Sequence, residues 1–531
     1  MKVRVLKKKV KKVVVVGGGV AGLTASLYLL LNGHDVTLIE KNSYCGGLVN
    51  SFNRESFTFD GGVPALLNAG IILPMLKEVG IDLKFVKNKV SVGIDDKIVH
   101  VKGEESFRDY VDMLKEIYPD SVEDIERLAL VILSVMNSMK ILYSVDNPLF
   151  VEKKEFKTFK TYLPWLLKLL KTVVVMKKFK EPVEDYVGKI VRNESLKDII
   201  TQHFVENTPA FFALSYFYAY TDYIYPENGI GELTMKMEEK IRELGGEIVL
   251  NTEIEKLDVD KHLVLDGDGR SWRYDKLIWA ADLKRLCKIA SCGRKSEKME
   301  EEKDKVLSGK TTESVVKVFI AVDQPVEYFE KISNAHFFYT PSKEGIGEIE
   351  HSELENLKST IRNNFNNFDR NAISEWIGKL CKYTSYEISI PALRNKNLAP
   401  EGKTGLIVNF FFDYELAKLV HDAGWYDDLK NMIEENVIEI LSNTVYPGLK
   451  DKVIFKFSST PLTIARYVGT TNGAIVGWAF GKLGEKQPIK NSLSRAYLTA
   501  FPDIYKAGQW AYSPAGVPMA ILTGKLAAEK V

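Results

Sequence analysis

This sequence of 531 residues has few of the features that indicate a metal centre, a disulfide framework or a nucleic-acid partner. Its four cysteines contain no CxxC pair, and its seven histidines lack the short spacings of a zinc or iron site. We therefore expect reduced thiols, no metal centre and a cytoplasmic protein. Lysine and arginine total 72 and aspartate and glutamate total 71, so no excess of one charge favours a nucleic-acid partner.

Long apolar runs are also missing. The nearest to the roughly 18 apolar residues of a membrane-spanning helix is the segment 163–176, and Lys168 and Lys171 interrupt it. Residues 1–12 carry seven basic residues and no small-residue cleavage site, so we expect no signal peptide. The length and the 45% of hydrophobic residues instead predict a globular protein of two or three domains.

The first motif is a glycine-rich turn after an apolar run. Residues 13–16 are four consecutive valines, typical of a buried parallel strand, and Gly17-Gly18-Gly19-Val20-Ala21-Gly22 follows directly. In a GxGxxG turn between strand and helix, Gly17 permits the tight turn and Gly19 lets a pyrophosphate approach the backbone. Gly22 lets the next helix lie close to the sheet. The pattern predicts a dinucleotide-binding site.

An acidic residue supports this interpretation. A helix over residues 23–31 ends at Asn32-Gly33, and a second strand over residues 35–39 leads to Glu40. Glu40 lies 18 residues after Gly22, a spacing suited to accepting a hydrogen bond from a ribose hydroxyl.

Two further glycine pairs indicate which dinucleotide binds. Cys45-Gly46-Gly47 follows Glu40, and the segment 56–62 ends in Gly61-Gly62. On these motifs the sequence resembles the phytoene desaturase, carotenoid isomerase and retinol saturase family of FAD-dependent oxidoreductases. The resemblance implies that Glu40 and Gly46-Gly47 continue an FAD site. Where the family usually has arginine after the pair, this chain has Leu48, which removes a side-chain contact and leaves the backbone contacts.

Later stretches carry the same resemblance. The segment 228–233 opens a helix, and a strand over residues 247–250 leads to Ile254, whose counterpart in relatives contacts the adenine through its backbone. The segment 399–403 resembles the family's loop before a substrate-domain strand, here residues 405–412.

The C-terminal segment also matches the family. Many flavoproteins of this fold have Gly-Asp where this chain has Gly508-Gln509, and Gln509 can hydrogen-bond the ribityl chain without adding charge. Ser513-Pro514-Ala515-Gly516-Val517-Pro518 precedes a helix that would direct free amide hydrogens and a positive dipole end at the flavin. The predicted FAD-binding residues are Gly17, Gly19, Val20, Ala21, Gly22, Glu40, Lys41, Gly46, Gly47, Leu48, Gly62, Val63, Ile254, Gly508, Gln509, Gly516, Val517 and Pro518.

A second cofactor turn is absent from the sequence. Gly229-Ile230-Gly231 lacks the third glycine, because Thr234 stands in its place, so we expect no separate NAD(P)H domain. The electron donor or acceptor must then reach the flavin directly. A quinone, ferredoxin and O2 all stay open as that partner.

The substrate is indicated by an aromatic cluster. Nine of the 22 residues from Phe204 to Tyr225 are aromatic, which suits either a wall beside the flavin or an ordinary core. No catalytic residue is assigned. His203, Glu206 and Asp222 flank the cluster. Each is a candidate for proton transfer, or else a polar residue at the surface or behind the site without contact to the substrate.

A basic apolar segment precedes this cluster. Residues 151–180 contain nine lysines, and the segment 162–171 places Tyr162 and Trp165 among leucines. This pattern is typical of a helix that lies in a membrane surface, and it also suits a surface helix with a solvated lysine face. A peripheral membrane association agrees with a lipophilic substrate.

The predicted fold is an α/β protein with a discontinuous Rossmann-like FAD domain and an inserted α+β substrate domain, of the amine-oxidase and phytoene-desaturase type. We expect FAD-domain segments at 1–95, 226–300 and 480–531 and substrate-domain segments at 96–225 and 301–479. The expected function is FAD-dependent desaturation, saturation or isomerisation at carbon–carbon double bonds of an isoprenoid such as a carotenoid or retinoid. The alternatives are an amine-oxidase-type enzyme acting on a soluble amine and a non-catalytic flavin- or lipid-binding protein.

Overall fold

The computed structural model describes residues 10–143, 148–150, 165–170, 172–173, 176–293, 296–481, 492–512 and 516–531. The strands are β1 (Lys12–Val16), β2 (Asp35–Ile39), β3 (Ser51–Arg54), β4 (Phe57–Asp60), β5 (Leu66–Leu67), β6 (Phe85–Lys87), β7 (Val90–Ile94), β8 (Lys97–Val101), β9 (Tyr223–Pro226), β10 (Glu247–Val249), β11 (Ile254–Asp258), β12 (Leu263–Asp266), β13 (Ser271–Arg273), β14 (Lys276–Trp279), β15 (Ala290–Ser291), β16 (Ser314–Val322), β17 (His336–Thr340), β18 (Tyr386–Ser389), β19 (Thr404–Phe412), β20 (Val453–Ser459) and β21 (Ile504–Lys506).

Helices connect and cover these strands. They are α1 (Val20–Leu31), α2 (Ile72–Val79), α3 (Ser106–Ile117), α4 (Val122–Tyr143), α5 (Val183–Gly188), α6 (Glu194–Thr201), α7 (Ala210–Leu214), α8 (Tyr216–Ala219), α9 (Gly231–Glu243), α10 (Leu283–Ile289), α11 (Glu297–Ser308), α12 (Val326–Glu330), α13 (His351–Asn363), α14 (Arg370–Tyr383), α15 (Tyr414–Asp422), α16 (Tyr426–Asn443), α17 (Pro461–Val468) and α18 (Val517–Ala528). Residues 165–170 are also helical. Among the described helices, none combines the length and the apolar character needed to cross a bilayer.

A parallel five-stranded sheet lies at the centre of one half of the molecule. Its order is β10-β2-β1-β14-β21, so β1 occupies the middle. The valines of β1 are buried on both faces of the sheet, which explains why the strand is continuously apolar rather than alternating. The predicted strand, turn, helix and second strand are present, and α1 begins at Val20, three residues before the predicted start.

The last helix completes this layer. α18 packs against α1, and the two backbones approach closely at Gly524. A Cβ at Gly524 would lie 2.5 Å from the carbonyl oxygen of Ala21. This glycine therefore sets the helix separation, and it brings the beginning of α18 to the same edge of the sheet as the beginning of α1.

A seven-stranded sheet forms the other half, in the order β20-β16-β19-β18-β17-β7-β8. Its pairs are antiparallel except for β7 with β17. One face packs against α13 to α16 through a large apolar core that includes Val316, Val318 and Val408. The opposite face carries the residues between these, among them Lys317 and Asn409, and it is turned toward the parallel sheet's half of the molecule.

The chain crosses between the two halves several times. The parallel sheet takes strands from residues 12–39, 247–279 and 504–506, and the seven-stranded sheet takes strands from 90–101, 314–340, 386–412 and 453–459. The predicted class, an α/β flavoprotein fold with an inserted α+β part, is confirmed. The five segment boundaries stay predictions, and β7 belongs to the seven-stranded sheet although the first predicted FAD segment extends to residue 95.

Candidate functional site

The turn between β1 and α1 lines a cavity of about 490 Å³. Gly17 has a φ of +105°, and a Cβ there would lie 2.9 Å from the carbonyl oxygen of Ala280. A Cβ on Gly22 would overlap the carbonyl oxygen of Gly17. Both glycines are therefore required by the close packing of the turn itself.

Gly19 differs from these two positions. Its φ of −71° and ψ of 175° are open to any residue, and a Cβ there would meet no atom within 4 Å. Since Gly19 lines the cavity, a side chain would project into space that the fold leaves open. α1 begins at the next residue, so its first amide groups and positive dipole end face the same space. This arrangement fits an anionic ligand that lies against the backbone.

Glu40 lies at the carboxyl end of β2 and is 8% exposed. Its Oε2 accepts a hydrogen bond from the Gly18 N–H at 2.6 Å, and its Oε1 accepts one from the Asn42 N–H at 2.9 Å. These two bonds hold the carboxylate at the cavity wall. A carboxylate has about four acceptor sites, so the same oxygens can also accept hydrogen bonds from ribose hydroxyls.

The second glycine pair closes the cavity over the turn. The Gly46 N–H donates to the Gly18 carbonyl at 2.8 Å. The Val63 N–H donates to the Leu48 carbonyl at 3.0 Å, and a Cβ on Gly62 would overlap that oxygen. Gly62 is thus needed for the Leu48–Val63 contact, while Leu48 and Val63 reach the cavity themselves.

The remaining predicted residues come from distant parts of the chain. Ile254 begins β11, and its carbonyl accepts a hydrogen bond from Arg285 Nη2 at 2.9 Å. The Gly508 N–H donates to Thr523 Oγ1 at 2.9 Å, which ties this turn to α18. Ser513, Pro514 and Ala515 of the predicted C-terminal motif lie outside the described residues.

The structure brings most of the predicted set together. All of the predicted FAD-binding residues except Gly22, Gly62 and Pro518 line the cavity of the glycine turn. Gly22 packs α1 against the turn, Gly62 lines a neighbouring cavity, and Pro518 stands in the first turn of α18. Lining residues that the sequence reasoning missed include Trp279, Ala280, Asp282, Arg285, Arg466, Gly469 and Thr470.

A second cavity, of about 280 Å³, adjoins the first. The two share Leu48, Val63, Ile475 and Val476. Its walls are largely apolar and aromatic. Members of the predicted aromatic cluster that line it are Phe204, Phe212 and Tyr216. Other members of the cluster, including Phe211, Phe217 and Tyr220, pack in the core, so both interpretations of the cluster apply to part of it.

One wall of the second cavity is polar. Lys317, Asn409 and Glu387 lie side by side on β16, β19 and β18, because the register pairs Lys317 with Asn409 and Asn409 with Glu387. Two sequence signals could have identified this wall. One is the lone lysine in the apolar strand 314–322, and the other is the lone asparagine in the apolar strand 404–412. A polar side chain buried in such a strand needs a partner.

The ionisation of this wall follows from its contacts. Burial raises the pKa of Glu387, but the hydrogen bond from His336 and the charge of Lys317 outweigh burial and hold that pKa below its usual value. Burial lowers the pKa of His336, so its imidazole is neutral near pH 7. The wall therefore presents a carboxylate to the cavity.

The three candidates for proton transfer are separated by the fold. His203 lines the second cavity, and burial lowers its pKa to about 4. Asp222 accepts a hydrogen bond from the Ala69 N–H at 2.7 Å, and neither Asp222 nor Glu206 lines the described cavities. His203 alone of the three lies where a substrate could contact it.

The first cavity fits FAD. Its open glycine position, helix N-terminus and acidic residue suit a pyrophosphate and a ribose, and its far end meets the apolar second cavity, where an isoalloxazine ring would contact a substrate. When bound, FAD supplies an acceptor or donor for a hydride.

Comparisons with known proteins agree with this site. The chain is 22% identical over 544 residues to 4,4'-diapophytoene desaturase (4,4'-diaponeurosporene-forming) of Staphylococcus aureus strain COL, with 98% of each chain covered. A solved oxidoreductase from Methanosarcina mazei has a TM-score of 0.62 at 16% identity and covers 97% of this chain and 98% of its own. Putrescine oxidase bound to putrescine has a TM-score of 0.57 at 13% identity, covering 98% of this chain and 99% of its own.

A family model described as flavin containing amine oxidoreductase matches residues 20–367, more than half of the chain. The predicted resemblance to the phytoene desaturase group, FAD as the cofactor and the assignment as an FAD-dependent oxidoreductase are confirmed. The chain belongs to the flavin containing amine oxidoreductase family.

Proposed function

We propose that the protein is a desaturase that uses FAD to introduce carbon–carbon double bonds into a lipophilic isoprenoid. The observation that carries the proposal is the junction of the two cavities, a glycine-lined dinucleotide cavity that opens into an aromatic and aliphatic one. The full-length similarity to 4,4'-diapophytoene desaturase supports the same substrate class. The apolar lining favours a hydrocarbon chain over a small soluble amine.

The residues of this chain would act mainly by binding and orientation. Gly19 and Glu40 would hold the pyrophosphate and a ribose, while Ile254 would contact the adenine through its backbone. Leu48 and Val63, which line both cavities, would separate the flavin ring from water and press the substrate chain against it. Each desaturation would transfer one hydrogen as a hydride to bound FAD, release one as a proton that solvent takes up, and leave a new double bond.

The proposal is tested with the FAD-loaded protein under anaerobic conditions. We expect incubation with phytoene or 4,4'-diapophytoene in liposomes, with a soluble quinone, to produce the visible absorption of a longer conjugated polyene. Replacing Phe212, which lines the second cavity and is 42% exposed, by glutamate should slow this reaction without loss of bound FAD. Oxidation of putrescine without any change in the isoprenoids would contradict the proposal.

The electron acceptor is proposed to be a small molecule that reaches the flavin directly, since the sequence lacks a second GxGxxG turn. We expect a quinone to reoxidise the reduced protein rapidly and NADPH to reduce the oxidised protein slowly. Stopped-flow absorbance of the flavin measures both rates. Reduction by NADPH as fast as turnover would contradict this part of the proposal.

We also propose that the protein contacts a membrane surface through the helix at residues 165–170. Leu166, Leu167 and Leu170 are 45%, 60% and 59% exposed there, next to the exposed Lys168. The predicted anchor Trp165 instead donates from its Nε1 to the Ile141 carbonyl at 2.8 Å, and so attaches this helix to α4. Residues 151–164 of the predicted basic segment lie outside the described residues.

Flotation with anionic liposomes tests this contact. A double variant, Leu167→Glu with Leu170→Glu, should float less than the unaltered protein because two exposed apolar groups become charged. A matched control is Leu73→Glu with Leu498→Glu, since these leucines are 42% and 44% exposed on other elements. Equal flotation of both double variants would reject the helix as the contact.

A further inference from the structure

The polar wall of the second cavity is more elaborate than a hydrocarbon substrate requires. Lys317, Asn409, Glu387 and Phe338 are successive cross-strand neighbours on β16, β19, β18 and β17. They therefore stand in one row on the same face of the sheet, and all four line the cavity. Burial of charged and polar side chains costs free energy, so an apolar row would hold a pure hydrocarbon at lower cost.

The hydrogen bonds along this wall have a definite direction. Lys317 Nζ donates to the Gly62 carbonyl at 2.6 Å and to Asn409 Oδ1 at 3.4 Å. The amide of Asn409 is thereby oriented, and its Nδ2 donates to Glu387 Oε2 at 2.6 Å. One end of the chain of donors thus terminates on the carboxylate of Glu387.

A second chain of donors reaches the same carboxylate from the other side. Arg394 Nε donates to Asn88 Oδ1 at 2.6 Å, which orients the Asn88 amide. Asn88 Nδ2 then donates to His336 Nδ1 at 3.1 Å, so the proton of the neutral imidazole is on Nε2. His336 Nε2 donates to Glu387 Oε1 at 2.8 Å. Apart from the bond of Lys317 to the Gly62 carbonyl, each of these hydrogen bonds is directed toward Glu387.

The carboxylate is still accessible from the cavity. The side chain of Glu387 is 25% accessible, whereas that of His336 is 1% accessible. Since Glu387 lines the cavity, its accessible surface is turned to whatever occupies that space. Its two oxygens accept one hydrogen bond each from the chains described, and a carboxylate can accept about four. An occupant that donates a hydrogen bond satisfies the remaining acceptor capacity.

The charge of the wall favours a neutral donor. Lys317 lies in the same row as Glu387 and balances its charge. Arg394 lies over the ring of Tyr225, whose hydroxyl donates to Asp60 Oδ2 at 2.7 Å, but neither Arg394 nor Asp60 lines the cavity. The wall that faces the cavity therefore carries one positive charge, on Lys317, and one negative charge, on Glu387. A hydroxyl group suits it better than an ammonium group, which would add an unbalanced charge.

One end of the polar wall lies near the junction of the two cavities. Lys317 is bonded to the carbonyl of Gly62, and the next residue, Val63, lines both cavities. The apolar groups Phe204, Phe212 and Phe411 line other parts of the same space. An elongated molecule with a polar end beside Glu387 and an apolar tail along these groups matches this distribution.

We propose that the preferred substrate is an isoprenoid alcohol, and that Glu387 recognises its hydroxyl group by accepting a hydrogen bond, with Asn409 and His336 as the residues that position the carboxylate. This inference rests on the proposed function and adds a preference to it: isoprenoids that carry a hydroxyl donor bind more tightly than the hydrocarbons of the desaturation assay.

Binding measurements on the FAD-loaded protein test the inference without requiring turnover. The probes are geranylgeraniol, its methyl ether and geranylgeranylamine, with the perturbation of the flavin absorption spectrum as the readout. The ether keeps the chain and the oxygen but has no donor. We expect geranylgeraniol to bind roughly tenfold to a hundredfold more tightly than the ether, the range for one hydrogen bond to a charged acceptor.

Two variants assign the preference to the carboxylate. In Glu387→Gln an amide replaces the carboxylate, so its NH2 opposes one of the two donors, and we expect the alcohol-to-ether preference to fall to about threefold or less. The matched control is Ser385→Ala. Ser385 lines the same cavity, but its hydroxyl is bonded to Gln202 and Thr340 rather than to the wall, so this variant should keep the preference.

The outcomes separate this inference from the proposed function. Equal binding of the alcohol and the ether by the unaltered protein would overturn the inference and leave the isoprenoid assignment standing, even if Glu387→Gln did not fold. Tighter binding of the amine than of the alcohol would overturn the neutral-donor argument. Failure of all three probes to bind would contradict the isoprenoid assignment itself, and the inference with it.

Discussion

Replacing Gly19 tests the dinucleotide site most directly, because the fold itself does not require glycine at this position. A Cβ there meets no atom within 4 Å, and the backbone angles suit any residue. We expect Gly19→Val to fold as the unaltered protein does and to lose FAD. Gly22→Ala is the contrasting variant, since its Cβ would overlap the Gly17 carbonyl oxygen.

The expected magnitudes differ between the two variants. Valine at the position before α1 costs the apoprotein about 1 kcal/mol, because it is a poor helix cap. In the FAD complex, the same side chain keeps the pyrophosphate from the backbone and removes one or two charge-assisted hydrogen bonds of about 1.5–3 kcal/mol each. The FAD dissociation constant should rise at least about tenfold, and about 100-fold or more if two such bonds are lost. Gly22→Ala should destabilise the apoprotein by about 2–3 kcal/mol through overpacking.

Two measurements check this prediction. Urea denaturation of the apoproteins gives their free energies of unfolding, and calorimetric titration with FAD gives the dissociation constants. A Gly19→Val protein that binds FAD as tightly as the unaltered protein would refute the placement of the pyrophosphate. A Gly19→Val apoprotein as unstable as Gly22→Ala would refute the claim that the position is open.

Three further predictions concern single side chains. Gly62→Ala should lower the melting temperature, measured by circular dichroism, because its Cβ would overlap the carbonyl oxygen of Leu48; an unchanged temperature would contradict this. Glu40→Gln should weaken FAD binding roughly tenfold in a fluorescence titration, since the anionic acceptor is lost; unaltered binding would argue against a ribose contact. The hydrogen bonds from Arg192 lower the pKa of Asp124 to about 2, from an ordinary 3.8. The ionised carboxylate therefore stabilises the fold above pH 3.8 and loses this contribution as pH falls through 2, so the stability difference between the unaltered protein and Asp124→Asn should shrink over that interval in urea titrations. A difference independent of pH would contradict this assignment.

The part of the site that local sequence determines could be predicted. The β1–α1–β2 unit follows from an apolar run, a glycine turn and helical spacing within residues 12–40, and Glu40 is placed by the end of its strand. Ile254 and Gly508 could be placed at the cavity only through the family resemblance, because both lie more than 200 positions along the chain from the glycine turn.

The polar wall could not be predicted in the same way. Lys317, Glu387 and Asn409 are separated by 70 and 22 positions and become neighbours only through the register of three strands. Sequence periodicity identifies a strand but does not determine its partner or register. The aromatic cluster shows the same limit, since whether a ring lines a cavity or fills a core depends on what packs opposite it. Phe212 and Phe211 differ in this respect although they are adjacent.

The closure of the dinucleotide site by α18 has a consequence for the order of events during synthesis. The first parts of the site, β1 and α1, leave the ribosome early, yet the strand that completes their sheet is β21 (Ile504–Lys506), and the helix that covers α1 follows it. The contacts between α1 and α18 span nearly 500 residues, so closing them carries a large loop entropy and comes late in folding. We therefore expect the complete FAD site to form only after the C-terminal segment has been synthesised. Until α18 docks, the apolar surface of α1 that it covers is exposed in the nascent chain and available to chaperones.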